Sequence, residues 1–278
     1  MTETTVLDGA CLCGDVTYSS SQQHSEMWNC HCADCRKASS VAYATWIKTR
    51  PSSFSWIDVK SPVSLRYSSE SMLRSFCSSC GTVLPVYDEK EDCIMLPAGG
   101  ITTDHGLTPS MDCCTDQIPT WYAMDGCQPN SVNEIEDKAG SCTSEGSCLC
   151  GSITYSISGE HSGIRGCHCS RCRIRSGAAF FSAVPVLVSA YAPAFDESVT
   201  TVFFLPGSQY YRYSFCSSCG SLAPTLFPGA KRAVIPAGTL DTNPPLGLSH
   251  YIYYGSKVAW LNPGDNTVCF DKAPPPDV

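Results

Sequence analysis

Seven cysteines recur in the same pattern in each half of this chain, and their spacing points to metal chemistry. In the first half, Cys11-x-Cys13 and Cys77-x-x-Cys80 are each followed by a glycine, Gly14 and Gly81, which lets the backbone turn beneath an ion. Four thiolates brought together by these turns would form a closed zinc site whose binding energy is folding energy. The second half repeats the set as Cys148, Cys150, Cys216 and Cys219. The remaining three of each set, Cys30, Cys32 and Cys35 or Cys167, Cys169 and Cys172, lie within six residues and can converge on one ion. Three protein ligands leave a fourth position for water, a thiol or a substrate oxygen, so catalysis is expected there. Zinc in such a site holds a substrate thiol as thiolate and polarises a bound oxygen.

Other readings of the same residues stay open. Disulfides compete for the four-cysteine sets. For the triads the competitors are a redox Cys-x-x-Cys, a disulfide, or a second structural zinc completed by a nearby residue. His31 and His168 sit between ligands and could serve as a fourth ligand or an acid–base group. A histidine so placed more often turns away and satisfies a backbone carbonyl. Arg36, Lys37, Arg173 and Arg175 follow the third cysteine, where they could offset thiolate charge, grip a substrate carboxylate or simply form a solvated face. Cys93, Cys113, Cys114, Cys127, Cys142 and Cys269 do not repeat and are read as ordinary thiols.

The elements that must position these cysteines are themselves duplicated. Gly9 to Gly14 returns as Gly146 to Gly151 and Cys30 to Cys35 as Cys167 to Cys172, both 137 residues on. Phe76 to Gly81 returns as Phe215 to Gly220 after 139 residues, as do Leu96-Pro97-Ala98-Gly99 and Trp121, which become Ile235-Pro236-Ala237-Gly238 and Trp260. The copies therefore share a whole fold. The boundaries read as a first domain over 6–127, a polar linker over 128–145, a second domain over 146–272 and a loose proline-rich tail over 273–278. Short runs rich in β-branched and aromatic residues predict strands at Val41 to Ile47, Val63 to Tyr67, Val83 to Tyr87, Ile153 to Ile157, Thr200 to Leu205 and His250 to Tyr254. No convincing amphipathic helix is evident. The expectation is a mainly β fold, two compact domains each pinned by metal.

Bulk properties narrow the partners. Hydrophobic content of 43% against 16% charged residues is that of a globular chain. A formal net charge of −8 argues against a general affinity for nucleic acid or anionic membrane. No apolar run is long enough to span a bilayer, and the start MTETTVLDGA lacks the features of a secretion signal, so the expected location is the cytoplasm. A reducing compartment favours zinc over disulfides.

The joint pattern Cys-x-Cys-Gly, Cys-His-Cys-x-x-Cys-Arg and Phe-Cys-x-x-Cys-Gly resembles the glutathione-dependent formaldehyde-activating enzyme family, also described as the centromere protein V type domain. The resemblance covers nearly the whole chain, once per copy. It implies the Mss4-like β fold, a structural zinc on Cys11, Cys13, Cys77 and Cys80 and on Cys148, Cys150, Cys216 and Cys219, and a second zinc on each Cys-His-Cys-x-x-Cys run. It further implies carbon–sulfur lyase chemistry on thiol–aldehyde adducts such as S-hydroxymethylglutathione, with glutathione as a candidate co-substrate. The copies depart unevenly from the family pattern. The first has Ser40 where the second has Gly177. The second has Ile174 for Lys37 and Tyr213 opposite Arg74, and only the second has His250, its counterpart being Met111. Either one copy has degenerated or one pocket forms between the two. The reading is a zinc-dependent lyase acting on a small thiol adduct or related carbonyl compound, with Arg36, Lys37 and Arg173 as candidate substrate contacts. The alternatives are a tailoring enzyme acting on a larger metabolite through the same open zinc, and a non-catalytic zinc module that binds a partner.

Overall fold

A computed structural model of the chain describes residues 4–124, 143–159, 161, 163–209, 211–244, 246–261 and 268–274. In the first half Thr5–Ala10, Val16–Gln22 and Phe54–Val59 form a small antiparallel sheet. Side chains alternate across it, so that Leu7, Val16 and Tyr18 enter the core. Gly9 stands opposite Tyr18, and a Cβ at Gly9 would fall 2.2 Å from that ring. Gly146 and Tyr155 repeat the arrangement in the second half, where Thr143–Ser147, Thr154–Ser158 and Tyr191–Pro193 make the matching sheet. The glycine that opens each Gly-x-Cys-Leu-Cys-Gly motif is thus required by packing.

The larger sheet of the first half runs Met111–Cys113, Met27–Cys30, Ala44–Thr49, Cys93–Pro97, Val86–Asp88, Met72–Cys77 and Val63–Tyr67 in spatial order. Its continuity depends on Val86–Asp88, which pairs with strands on both sides. The second half breaks at the corresponding place. Leu222–Ala223 pairs with Arg212–Cys216 and Thr225–Leu226 pairs with Arg232–Pro236, leaving a three-stranded and a six-stranded sheet. Where Leu73 pairs with Tyr87 through the backbone in the first half, Arg212 reaches Leu226 O with its guanidinium in the second.

Two helices of seven residues, α1 (Ala33–Ser39) and α2 (Ser170–Ser176), follow the second cysteine of each triad. They are too short to display a 3.6-residue periodicity, which is why the sequence does not announce them. Each ends in a left-handed residue, Ser40 (φ 59°) or Gly177 (φ 69°). The expected strand at Val63–Tyr67 is present as read, while others move by a few residues. Val41 to Tyr43 lies before the strand Ala44–Thr49, and the strand placed near His250 spans Leu248–Ile252. Residues 143–145, read as the end of the linker, begin the strand Thr143–Ser147, whereas 125–142 and 275–278 lie outside the described residues.

The halves interlock reciprocally. Helix α2 packs on the turn Ala98–Gly100 of the first half, and α1 packs on Ala237–Thr239 of the second. Gly99 N donates to Gly177 O at 3.0 Å. A Cβ on Gly99 would lie 2.2 Å from Ala178 O, and one on Gly238 2.2 Å from Val41 N. The equivalent rings Phe76 and Phe215 meet edge to face with centroids 6.5 Å apart. Trp121, from the first half, is buried in the core of the second, where its carbonyl accepts from Leu248 N at 3.0 Å.

Candidate functional site

Among the described residues, sulfurs gather in two four-cysteine clusters and two three-cysteine ones, and in the first half the smaller cluster holds Cys114 rather than Cys35 beside Cys30 and Cys32. The sulfurs of Cys11, Cys13, Cys77 and Cys80 lie within 4.8 Å of one another, and so do those of Cys148, Cys150, Cys216 and Cys219. The turns that carry them are built alike. Gly81 and Gly220, after the second cysteine of each Cys-x-x-Cys, adopt φ of 63° and 75°. Val16 N donates to Cys11 Sγ and Ile153 N to Cys148 Sγ, each at 3.3 Å. Thr82 Oγ1 sits 3.1 Å from Cys80 Sγ while accepting from Leu12 N, and Ser221 does the same service for Cys219 and Leu149.

This donor set fits a soft divalent cation. Hydrogen bonds from Cys11, Cys13 and Cys77 hold the Cys80 thiol far below its usual range, and those from Cys148 and Cys216 do so for Cys219. The same sharing drives Cys13 and Cys216 upward. One thiolate can exist among its neighbours, but further ones need a positive charge at the centre. Four sulfurs at this separation suit tetrahedral zinc, whose Zn–S bonds of about 2.3 Å put the ligands roughly 3.8 Å apart.

In the second half Cys167, Cys169 and Cys172 also lie within 4.8 Å of one another. Hydrogen bonds from Cys167 and then Cys172 bring the Cys169 thiol down to about 2. His168, between them, turns away from the sulfurs into an aromatic nest of Phe180, Tyr251 and Tyr254. Burial lowers its imidazole to about 4, so it is neutral near pH 7. In the first half Cys30 and Cys32 have sulfurs 3.5 Å apart, Cys35 N donates to Cys32 Sγ, and Cys35 Sγ accepts from Arg74 Nη2 at 3.4 Å. His31 likewise points away, its Nε2 lying 2.8 Å from Asp112 Oδ1. The mutually close set differs there, because the Cys114 sulfur, and not that of Cys35, joins Cys30 and Cys32 within 4.8 Å of one another. Cys114, read from the sequence as an ordinary thiol, is brought back to Cys30 and Cys32 by the turn that follows Met111–Cys113.

The surroundings of the two triads differ most. Cys167 and Cys172 line a cavity of about 190 Å³ that opens where the second-half sheets part. Arg165, Arg175 and Arg212 line it, and among the described residues no carboxylate does. Arg175 is sandwiched between Phe181 and Tyr213, its guanidinium carbon 4.2 and 4.5 Å from the ring centroids. It is 5% exposed, yet its Nε and Nη2 have no hydrogen-bond partner. A buried, unsatisfied guanidinium facing a cavity is a ready anion site. Tyr211 borders the same space beside Cys172, and burial pushes its phenol well above the usual range.

In the first half a cavity of only about 10 Å³ lies beside Ala38, Arg74, Val83 and Val86, the counterparts of Arg175, Tyr213, Leu222 and Thr225. Trp46 stands opposite Pro97 in the register where Ala183 stands opposite Pro236. Trp46 is 1% exposed and packs with Cys30, Cys35, Met95, Trp28 and Met72. Across the neighbouring strands, Trp28 faces Met111 in the first half where Arg165 faces His250 in the second. Three seats thus hold Trp46, Trp28 and Met111 in one copy and the smaller or more polar Ala183, Arg165 and His250 in the other.

The candidate substrate contacts from sequence lie elsewhere. Arg36 Nε donates to His31 O at 3.2 Å and Arg173 Nε to His168 O at 3.1 Å, so each braces the carbonyl between two cysteines of its triad. Lys37 pairs with Asp241 and donates to Ser147 across the contact between halves. None of the three is among the residues lining the cavity. Arg165, Tyr211 and Arg212 escaped notice because they belong to no motif. Aligning the copies at their own offsets would have shown Trp28 against Arg165 and Trp46 against Ala183.

Two stretches, residues 6–117 and 143–256, match the family profile described as glutathione-dependent formaldehyde-activating enzyme. Together they take in most of the chain and every cysteine of the four clusters. No curated protein matches the chain. Among the described residues, no helix is long and apolar enough to cross a membrane.

Proposed function

Because this chain belongs to the glutathione-dependent formaldehyde-activating enzyme family, we propose that its second half is a zinc-dependent carbon–sulfur lyase acting on a small thiol–carbonyl adduct that carries a carboxylate. The observation that carries the proposal is the cavity at Cys167 and Cys172, walled by three arginines and, among the described residues, by no acid. Zinc on the triad would supply a Lewis acid and a counter-charge for a departing thiolate. The substrate carboxylate would take the two unsatisfied donors of Arg175, whose flat guanidinium is held in orientation by Phe181 and Tyr213. Tyr211 stays protonated at neutral pH and can donate to the hydroxyl or carbonyl oxygen of the adduct. Phe181, Leu222, Val234 and Ile252 keep the reacting bond dry.

In the cleavage direction the hydroxyl of a hemithioacetal loses its proton to solvent water and its oxygen becomes the carbonyl. The carbon–sulfur bond breaks and sulfur leaves as thiolate, which solvent reprotonates. Formation of the adduct runs the same path backwards. Glutathione fits the class, having two carboxylates and a thiol. The first half, with Trp46 buried against Cys30 and Cys35, contributes scaffold and contact surface.

The test is magnetisation-exchange NMR on equilibrated mixtures of formaldehyde, or a small carboxylated aldehyde, with glutathione and with an uncharged thiol. Acceleration confined to carboxylate-bearing partners supports the reading. Exchange no faster than without protein, for every pair, would leave the zinc-binding interaction module as the better account.

A further inference from the structure

We propose that Cys114 closes the first triad, so that the first half carries two four-thiolate zinc sites while the second carries one closed and one open; this rests on the reading that the triads hold zinc. The sulfurs of Cys30, Cys32 and Cys114 already lie within 4.8 Å of one another; Cys35 stands just outside that set, its N–H donating to Cys32 Sγ at 3.4 Å, and its sulfur has only to swing in to make the fourth ligand. Zinc needs four such donors and takes thiolate readily.

The approach of Cys114 is built into the backbone. The strand Met111–Cys113 pairs in parallel with Met27–Cys30, setting Cys113 beside Cys30. His31 N donates to Cys113 O at 3.1 Å, and Ala33 N donates to Gln117 Oε1 at 3.0 Å from the far side of the turn. Asp112 accepts from Asn29 and pairs with His31. Between these ties Cys114 adopts φ 56° and ψ 43°, a left-handed conformation that costs a non-glycine residue about 1 kcal/mol or more. The side chain is thereby turned back onto the triad.

The second half keeps this backbone and changes the side chain. His168 N donates to Ile252 O at 3.0 Å, and Tyr253 takes φ 53° and ψ 36° at the start of the turn Tyr254–Ser256. A phenol in the seat of Cys114 leaves the second triad one thiolate short. Open coordination and open cavity therefore occur together in the second copy, and the fourth sulfur and Trp46 occur together in the first. A tetrathiolate site carries a net charge of −2, which the buried Arg74 guanidinium at Cys35 partly offsets.

The experiment maps alkylation of each cysteine by peptide mass spectrometry in the full-length, zinc-loaded chain, before and after chelation, with total zinc measured in parallel. Cys114 is exposed, so without a ligand role iodoacetamide would reach it in both states. The expected result is four ions per chain, with Cys114 at least ~10-fold slower to react when zinc is bound, as thiolates held by a metal are. Cys114→Ser should make one ion labile to a mild chelator, and Tyr253→Cys should make the second triad retain its ion longer. Four ions with Cys114 equally reactive in both states would overturn the closure and leave the zinc triads standing. A Cys114 that stays blocked after chelation until a reductant is added would be disulfide-bonded, which also overturns it. Two ions per chain would sink both readings together. The alkylation map of the unmutated protein decides the matter even if Cys114→Ser fails to fold.

Discussion

Trp46 and Ala183 occupy the same seat in their two sheets, each opposite the proline that ends the neighbouring strand, Pro97 and Pro236. One side chain fills the space beside its triad and the other leaves it empty. Ala183→Trp should therefore close the second cavity. Adduct cleavage is expected to fall at least ~100-fold while zinc content and the far-UV circular dichroism spectrum hold, since the first half already folds around an indole at this position. Retained turnover would mean that chemistry occurs elsewhere.

Among the described residues of the cavity, Arg175 alone is stacked between two rings with two nitrogens left unpaired. Arg175→Met should raise KM for a carboxylate-bearing adduct by about 10- to 100-fold, or roughly 1.4–2.8 kcal/mol, with little change for an uncharged one. Arg175→Lys should recover little, because an ammonium neither stacks as a plane nor offers a two-pronged donor. Steady-state kinetics on paired charged and neutral substrates separate these outcomes.

The closed and open clusters should answer differently to loss of one sulfur. Cys219→Ser or Cys80→Ser removes a ligand from a site whose binding energy holds two turns together, and should cost at least ~3 kcal/mol or prevent folding. Cys169→Ser should abolish turnover and lower zinc content by about one ion per chain, with the fold kept. Thermal melts followed by circular dichroism, with zinc counted by mass spectrometry, distinguish the two classes.

The contact between halves leaves no room for a methyl group at two symmetric places. Gly99→Ala and Gly238→Ala would each force a Cβ to 2.2 Å from the facing backbone, and each should destabilise the chain by about 3 kcal/mol. Gly106→Ala, where nothing lies within 4 Å, should cost only the ~1 kcal/mol of an unfavourable φ. Urea midpoints compared across the three variants would show the difference.

The cysteine clusters were legible because metal ligation demands particular residues at short spacings, followed by a glycine where the backbone must turn. The duplication was legible for the same reason, and with it the β-rich architecture. The helices α1 and α2 were not, since seven residues give too few turns to mark a face. Nor was the seam between the halves, because nothing local to Gly99 says that it will meet Gly177 and Ala178. Cys114 was set aside because it does not recur. In a duplicated chain, the residue that breaks the repeat is where the copies can differ in chemistry.

The matching faces that join the halves are those by which two identical subunits would pair about a twofold axis, each offering the patch it receives. Identical chains, however, could never seat an indole on one side and a methyl on the other. Two different chains sharing this face would spend part of their population in like-with-like pairs, blocked twice over or lacking the blocked scaffold altogether. Joining them end to end abolishes that sorting problem. Every molecule made is one unlike pair in fixed proportion, and the two members can diverge further without losing each other.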